Sequence, residues 1–545
     1  MVSLSVIEDE PQPLAEWIEP SLQDTAGRDP LGFNTITLDR ILPQLIPGVL
    51  QLSERARYFS IYPWLLWQFA ERKRPATTSE LDHFIRRREF ELCLAIKLCP
   101  HCDGRKAIGS DNASPRVSSG EDPLSRGLSI ESPKGGFGLY YRSPLIDLGA
   151  VAPVGTPLGA EQEPSPIELL LDGNRATSLA YTFHDAIKDT EYYRRYERTD
   201  DPIPRPVLVE LADRVCLCRL PNVPDERDAI CQLLFSPPSD QDIPACEARR
   251  RAFALFLSLV DRDSDVAHSN GAFWRGLIER FMKDPAGGGS EGPTVAAWGA
   301  LAMKECVQDA LCSVWTDFCR AGIDEQPASV GLSPDALDGM TTILASRRLP
   351  PLGASTIDLA PDEPATKLQA RLSEATREMD WNEVRAWAAE ANTAAGGLCA
   401  LLVFAARLPD VQAAHPLWTS VALRHSEHQD GLLGVLNLVN DRLSAGPTVA
   451  ELMRWLVARF IVAPHEAIAY SKLPKATFRF CREETGRLRF FSPGSGGLER
   501  FRPSDDRRGT MASLSQDIGF LSPPADQGSA KLTSDGAAFV AAVFE

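Results

Sequence analysis

The stretch Val295-Ala-Ala-Trp-Gly-Ala-Leu-Ala-Met-Lys-Glu-Cys-Val-Gln-Asp-Ala-Leu-Cys-Ser-Val-Trp-Thr-Asp-Phe-Cys-Arg320 decides the fold class. Val307, Leu311, Val314 and Phe318 recur at the spacing of one helix face, with Trp315 beside them. The same period continues on both sides. Ala252, Phe253, Leu255, Phe256, Leu259 and Val260 carry it over 246–262, and Phe273, Trp274, Leu277 and Phe281 over 272–282. It resumes at 366–407, 429–444 and 448–462. The last of these opens with Thr448 and Glu451 as a capping box and is expected to end at Pro464. Nearer the N-terminus, residues 36–75 are dense in apolar and aromatic side chains, and Pro47-Gly48 and Pro63 divide them into two or three short helices. Thr77 with Glu80 marks the start of a helix whose apolar residues run from Leu81 to Leu98, and Pro100 and Gly104 end it.

The expected fold is mainly α and multi-domain, with helical bundles and one or two winged-helix-like modules carrying small β-hairpins. The expected boundaries are an acidic arm at 1–30, an N-terminal helical domain at 31–104, a Ser/Gly/Pro-rich linker at 105–137 and a winged-helix-like module at 138–200. A helical domain at 201–322, a Pro/Gly-rich linker at 323–365, a helical domain at 366–463 and a C-terminal winged-helix-like module at 464–545 follow. Length supports several domains, since the chain has 545 residues, and its 44% apolar content is that of a folded globular protein. Thr477-Phe-Arg-Phe480 and Arg487-Leu-Arg-Phe-Phe491 alternate polar and apolar residues around Glu-Thr-Gly, the pattern of a β-hairpin. No run of about 18 apolar residues occurs, so no membrane span is expected. The first residues are acidic, with no basic start and apolar core of a signal peptide, so a cytoplasmic location is expected.

Two segments echo one another. Asp147-Leu-Gly149, a polar gap, Leu169-x-x-Asp172-Gly173 and a helix match Asp517-Ile-Gly519, a polar gap, Leu532-x-x-Asp535-Gly536 and a helix. Both read as helix end, strand, wing, strand, helix, the ending of a winged helix-turn-helix. Glycine permits the tight turn and Thr or Asp caps the following helix. Unrelated strand–turn–helix joints would give the same pattern.

The net charge is −17, yet two segments are locally basic. Residues 466–509 hold ten Lys/Arg against six acids, and residues 50–90 hold eight against five. Phosphate binding needs such islands, because released counterions supply the affinity. The candidate DNA-binding residues are therefore Arg55, Arg57, Tyr58, Arg86, Arg87, Lys472, Lys475, Arg479, Arg487 and Arg489. Phe478, Phe480, Phe490 and Phe491 would either stack on bases or form the buried face of the hairpin. An Arg-x-Arg before aromatics clamps phosphate or carboxylate, or else pairs with a structural acid.

Twelve cysteines are spread without the regular framework of a secreted domain. Cys99-Pro-His-Cys102 is a CxxC at a helix end, and a structural zinc needs four ligands. No second CxxC follows. Cys216-Leu-Cys218 has the wrong spacing for one, although it could in principle meet the first pair in space. The expectation is no metal and no cofactor. Other motifs are weaker still. There is no Gly-Lys-Ser/Thr loop for nucleotide phosphates. Gly288-Gly-Ser-Glu-Gly292 lacks the strand that a nucleophile elbow requires. His425-Ser-Glu-His428 spaces two imidazoles one helical turn apart, as a polar helix surface also does.

Residues 45–69 contain Arg55-Ala-Arg-Tyr-Phe59 followed by Pro63-Trp64. This resembles the N-terminal signature of a group of uncharacterised bacterial proteins encoded in phage-defence and mobile islands. Arg86-Arg-Arg-Glu89 and the helix of Trp298 and Trp315 are similar to that group as well. The resemblance implies a role in defence against phage or other foreign DNA, and no activity. The leading expectation is thus a component that binds DNA or docks partner subunits from its own operon through winged-helix-like modules. A nucleic-acid-processing enzyme of glycosylase or nuclease type and a pure protein scaffold are the alternatives.

Overall fold

In a computed structural model of the chain, the described residues are 29–72, 76–102, 107–157, 164–171, 174–283, 289–326, 330–352, 357–414, 432–471, 478–491, 506–522 and 530–545. The protein is mainly helical, with two small antiparallel sheets among the described residues. It divides into two compact units, each assembled from separate stretches. The thiol unit comprises Pro43–Asn270 and Asp506–Glu545, and the long-helix unit comprises Met1–Leu42 and Gly271–Asp505.

The thiol unit begins with α1 (Tyr58–Glu71), whose Phe59, Ile61, Tyr62, Trp64 and Leu65 are all buried. Pro63 does not break it. α2 (Thr78–Lys97) starts where Thr77 Oγ1 accepts the Glu80 amide at 3.2 Å. The expected linker at 105–137 is instead built structure. It contains α3 (Ser110–Ser118) and is held by side chains that reach back to α2. Ser129 Oγ and the amides of Gly136 and Phe137 donate to the buried Glu89 carboxylate, as does Tyr62 Oη. A buried carboxylate that gathers several donors orders the segment that supplies them.

α4 (Arg142–Asp147), β1 (Val151–Ala152), β2 (Leu169–Leu170) and α5 (Asn174–Ile187) give the first helix–hairpin–helix joint in the expected order. A π-turn at Phe137–Tyr141 precedes Pro144. Proline lacks an amide for the carbonyl four residues back, that of Tyr140, and this oxygen accepts Ser53 Oγ at 2.6 Å instead. α6 (Arg205–Val215), α7 (Pro224–Phe235) and α8 (Ile243–Arg262) complete the body of this unit.

The long-helix unit is built on α10 (Gly292–Glu325), preceded by α9 (Asn270–Lys283). α10 is buried on nearly every face from Trp298 to Cys319, so the face of Val307, Leu311, Val314 and Phe318 read from its sequence is part of a wider buried surface. Several of its buried polar residues find partners inside. Lys304 Nζ donates to Thr37 Oγ1 at 2.8 Å and to Gln308 Oε1 at 2.7 Å, and Asp317 accepts the Ala394 amide at 2.8 Å. The expected linker at 323–365 contains α11 (Pro334–Ala345), capped by Ser333, with Leu337, Met340 and Leu344 buried.

The helical pattern at 366–407 resolves into α12 (Ala365–Ala375), α13 (Trp381–Ala391) and α14 (Ala394–Ala414). α15 (Leu432–Ser444) and α16 (Val449–Val457) follow, and Thr448 and Glu451 form the expected reciprocal capping box. Pro464 does not end the helical run. A π-turn at Ala458–Val462 widens the backbone ahead of the proline and leads into α17 (Ala463–Ser471).

The expected hairpin is β3 (Phe480–Arg482) and β4 (Leu488–Phe490), paired Phe480 to Phe490 and Cys481 to Arg489. α18 (Arg508–Asp517) and α19 (Ser534–Phe544) then return to the thiol unit. The single C-terminal module expected at 464–545 is therefore divided between the two units. Phe480 and Phe490 pack on Phe318 of α10, whereas Asp517 of α18 receives Arg55.

The echo survives as geometry with its register moved by one residue. Gly149 and Gly519 both take positive φ, +71° and +83°, after a helix end. The Ala150 amide reaches the Leu145 carbonyl and the Phe520 amide the Ser515 carbonyl, both at 2.8 Å. Val151 stands opposite Leu170 and Leu521 opposite Leu532, so Leu170, not Leu169, is the counterpart of Leu532. Asp172 and Gly173 lie outside the described residues.

Candidate metal centre and the basic segments

Two helix ends in the thiol unit carry two cysteine pairs to one place. α2 ends at Lys97 and Cys99-Pro-His-Cys102 follows, while α6 ends at Val215 and Cys216-Leu-Cys218 follows. The four sulfurs lie within 4.8 Å of one another. Cys99 Sγ is 3.7 Å from Cys218 Sγ, Cys102 Sγ is 3.6 Å from Cys216 Sγ, and Cys216 and Cys218 are 3.4 Å apart. Those separations far exceed the ~2.05 Å of a disulfide bond. A tetrahedral ion with 2.3 Å bonds to sulfur sets its ligands about 3.8 Å apart. The expectation of no metal rested on the unequal spacings, C-x2-C and C-x-C, and those spacings do not prevent convergence in three dimensions.

The surroundings oppose charge on the bare thiols. Burial and the neighbouring thiols push Cys216 well above its ordinary value and Cys218 up to about 11. Two helix C-termini, the negative ends of their dipoles, meet at the cluster and favour a cation there. A bound divalent ion inverts the balance, because it deprotonates the thiols that ligate it.

A second layer fixes the cluster. Arg57 Nη1 donates to the Cys216 carbonyl at 2.7 Å. Its Nε and Nη2 donate to the two oxygens of Glu226 at 3.0 and 2.7 Å. Ser60 Oγ donates to Glu226 Oε1 at 2.5 Å. His101, between the first two cysteines, has Nε2 at 2.6 Å from Asp213 Oδ1 of α6.

Of the residues expected to contact nucleic acid, those of the N-terminal island are engaged elsewhere. Arg55 forks onto Asp517, with Nη2 to Oδ1 at 2.6 Å. Arg57 is fully buried on Glu226. Tyr58 is buried and its hydroxyl accepts the Ile108 amide. Arg86 pairs with Asp82, and Arg87 with Glu91 and Asp200. The +3 island thus disperses, because its arginines meet carboxylates both on their own helix and far along the chain.

In the C-terminal island, Lys472 and Lys475 lie outside the described residues. Arg479 donates its backbone amide to His465 Nε2 at 3.1 Å, and Arg487 Nη1 donates to the Gly331 carbonyl. Arg489 is exposed, with its guanidinium over Phe491. Phe480 and Phe490 are core residues against Trp315 and Phe318, so they belong to the buried face of the hairpin. His425 and His428 lie outside the described residues, and Ser290 sits in a turn before α10.

No family model, curated protein or solved structure matches the chain.

Proposed function

We propose that the chain is a cytoplasmic component of bacterial defence against phage or other foreign DNA, and that it works by docking partner subunits. The N-terminal signature supports the role and the repeated helix–hairpin–helix joint supports the means. Docking is favoured over DNA contact by one observation, the pairing of Arg55, Arg57, Arg86 and Arg87 with carboxylates. Cations already held by protein acids release few counterions to a phosphate backbone. α18 fits the same reading. It stands before the Leu521–Leu532 bridge, where a DNA-reading helix would be presented, and its Met511, Ala512 and Leu514 are buried. The partners are proteins encoded in the same operon.

Exposed Arg489 beside Phe491 favours a second reading, in which β3–β4 touches nucleic acid. Both are tested on the purified full chain. Fluorescent duplex and single-stranded DNA are titrated across a salt series, and each protein encoded beside the chain is mixed with it and run by size exclusion. A stoichiometric complex that survives nuclease treatment is the expected result. DNA binding that falls steeply with salt and is lost in Arg489→Glu, with no protein complex, would replace docking by the second reading.

A further inference from the structure

We infer that Cys99, Cys102, Cys216 and Cys218 hold one zinc ion as a closed structural site. Three arguments converge. The sulfur separations of 3.4, 3.6 and 3.7 Å lie just below the about 3.8 Å edge of a zinc–sulfur tetrahedron. Four protein ligands complete the shell of a structural site and leave no position for water or substrate, which separates it from a catalytic zinc. The support behind the ligands is built, since a fully buried Arg57 is spent on the carbonyl of Cys216 and on Glu226.

Soft thiolates select zinc over magnesium or calcium, and four sulfurs within 4.8 Å suit one ion rather than a cluster of several irons. Binding exchanges protons for metal: each thiol that becomes a ligand loses its proton to solvent, and no redox change occurs at zinc. The ion would clamp the end of α2 to the end of α6, elements separated by more than a hundred residues of chain. The site lies within the thiol unit and does not depend on the docking reading.

The test uses the full chain, purified without a polyhistidine tag and without chelator. Metal content is measured by inductively coupled plasma mass spectrometry for the wild type, Cys102→Ser, Cys218→Ser and Cys231→Ser. About one zinc per chain is expected for the wild type and for Cys231→Ser, whose cysteine is outside the cluster, with at least a fivefold loss in the other two. If those variants do not fold, cobalt(II) titrated into metal-stripped wild type decides the matter, because tetrahedral thiolate coordination gives an intense visible spectrum. Native alkylation with mass spectrometry should show these four thiols protected by zinc and exposed without it. Absence of metal together with Cys99–Cys218 and Cys102–Cys216 disulfides would overturn the inference. Iron at one per chain, or a colourless cobalt titration, would overturn it as well.

Discussion

Arg57 lays its guanidinium fork across Glu226, with Nε on Oε1 at 3.0 Å and Nη2 on Oε2 at 2.7 Å, and solvent reaches neither side chain. The pair joins the start of α1 to the start of α7 and leaves Nη1 for the carbonyl of Cys216. Removing one member of such a pair strands the other charge in a low-dielectric interior. Arg57→Ala is therefore expected to lower stability by about 3–5 kcal/mol in urea denaturation. Arg57→Met combined with Glu226→Leu should recover part of that loss. An Arg57→Ala protein as stable as wild type would show that the pair is absent in solution.

Glu91 sits fully buried among Arg87, Arg88, Arg126 and Tyr192. Burial alone would raise its pKa, but Arg88 and Arg126 outweigh burial and hold it below its ordinary value of 4.5. The folded state therefore keeps Glu91 ionised at a pH where the unfolded chain has begun to bind the proton. Its contribution is complete above pH 4.5 and falls away as acid carries the pH down through the lowered value. Glu91→Gln should be less stable than wild type near neutrality, and its stability should change less steeply with pH below 4.5. Thermal melts of both proteins between neutrality and mild acid check this, and parallel curves would count against it.

Gly149 and Gly519 close the two helix ends with positive φ. A side chain in that region costs about 1–2 kcal/mol, and asparagine tolerates it better than alanine or valine. At Gly519 an added Cβ would meet, among the described residues, only Arg227 Nη1, at 3.6 Å, so backbone strain is isolated from steric clash there. Stability should fall in the order Gly519→Asn, Gly519→Ala, Gly519→Val. At Gly149 the Cβ would also press on Pro238 at 3.0 Å, so Gly149→Ala should cost more than Gly519→Ala.

The two faces of β3–β4 are predicted to separate stability from surface function. Phe490 is buried against Phe318, and Phe490→Ala should cost about 3–5 kcal/mol. Arg489 faces solvent, and Arg489→Ala should change stability by less than about 0.5 kcal/mol. Equal effects from the two substitutions would mean that the strand register is different.

Legibility in the sequence followed range. α10, the capping box at Thr448 and Glu451, and the β3–β4 alternation depend on neighbours a few residues apart, and all were readable. α3 and α11 read as linker from sequence because Ser, Gly and Pro obscure short apolar patterns such as Leu337, Met340 and Leu344. Pro63 and Pro464 read as stops, yet buried neighbours and, before Pro464, a π-turn carry the helices through. The candidate site was less readable. The fate of Arg55 depends on Asp517, and that of Arg57 on Glu226. Nothing local announces either partner. The convergence of Cys102 with Cys216 had one local hint, since each pair directly follows a helix end and so occupies a fixed place.

The interleaving of the two units has a consequence for synthesis. The thiol unit needs α18 and α19, which leave the ribosome only after the whole of α9–α17 has been made. Until then Arg55 has no Asp517, and Phe235 lacks the rings of Phe520 and Phe539. The long-helix unit can mature first, whereas the earlier-made thiol unit waits with an apolar surface open. Ribosome-stalled chains ending before Asp506 should thus resist protease over 292–471 sooner than over 58–262, an inversion of the usual N-to-C order of domain maturation.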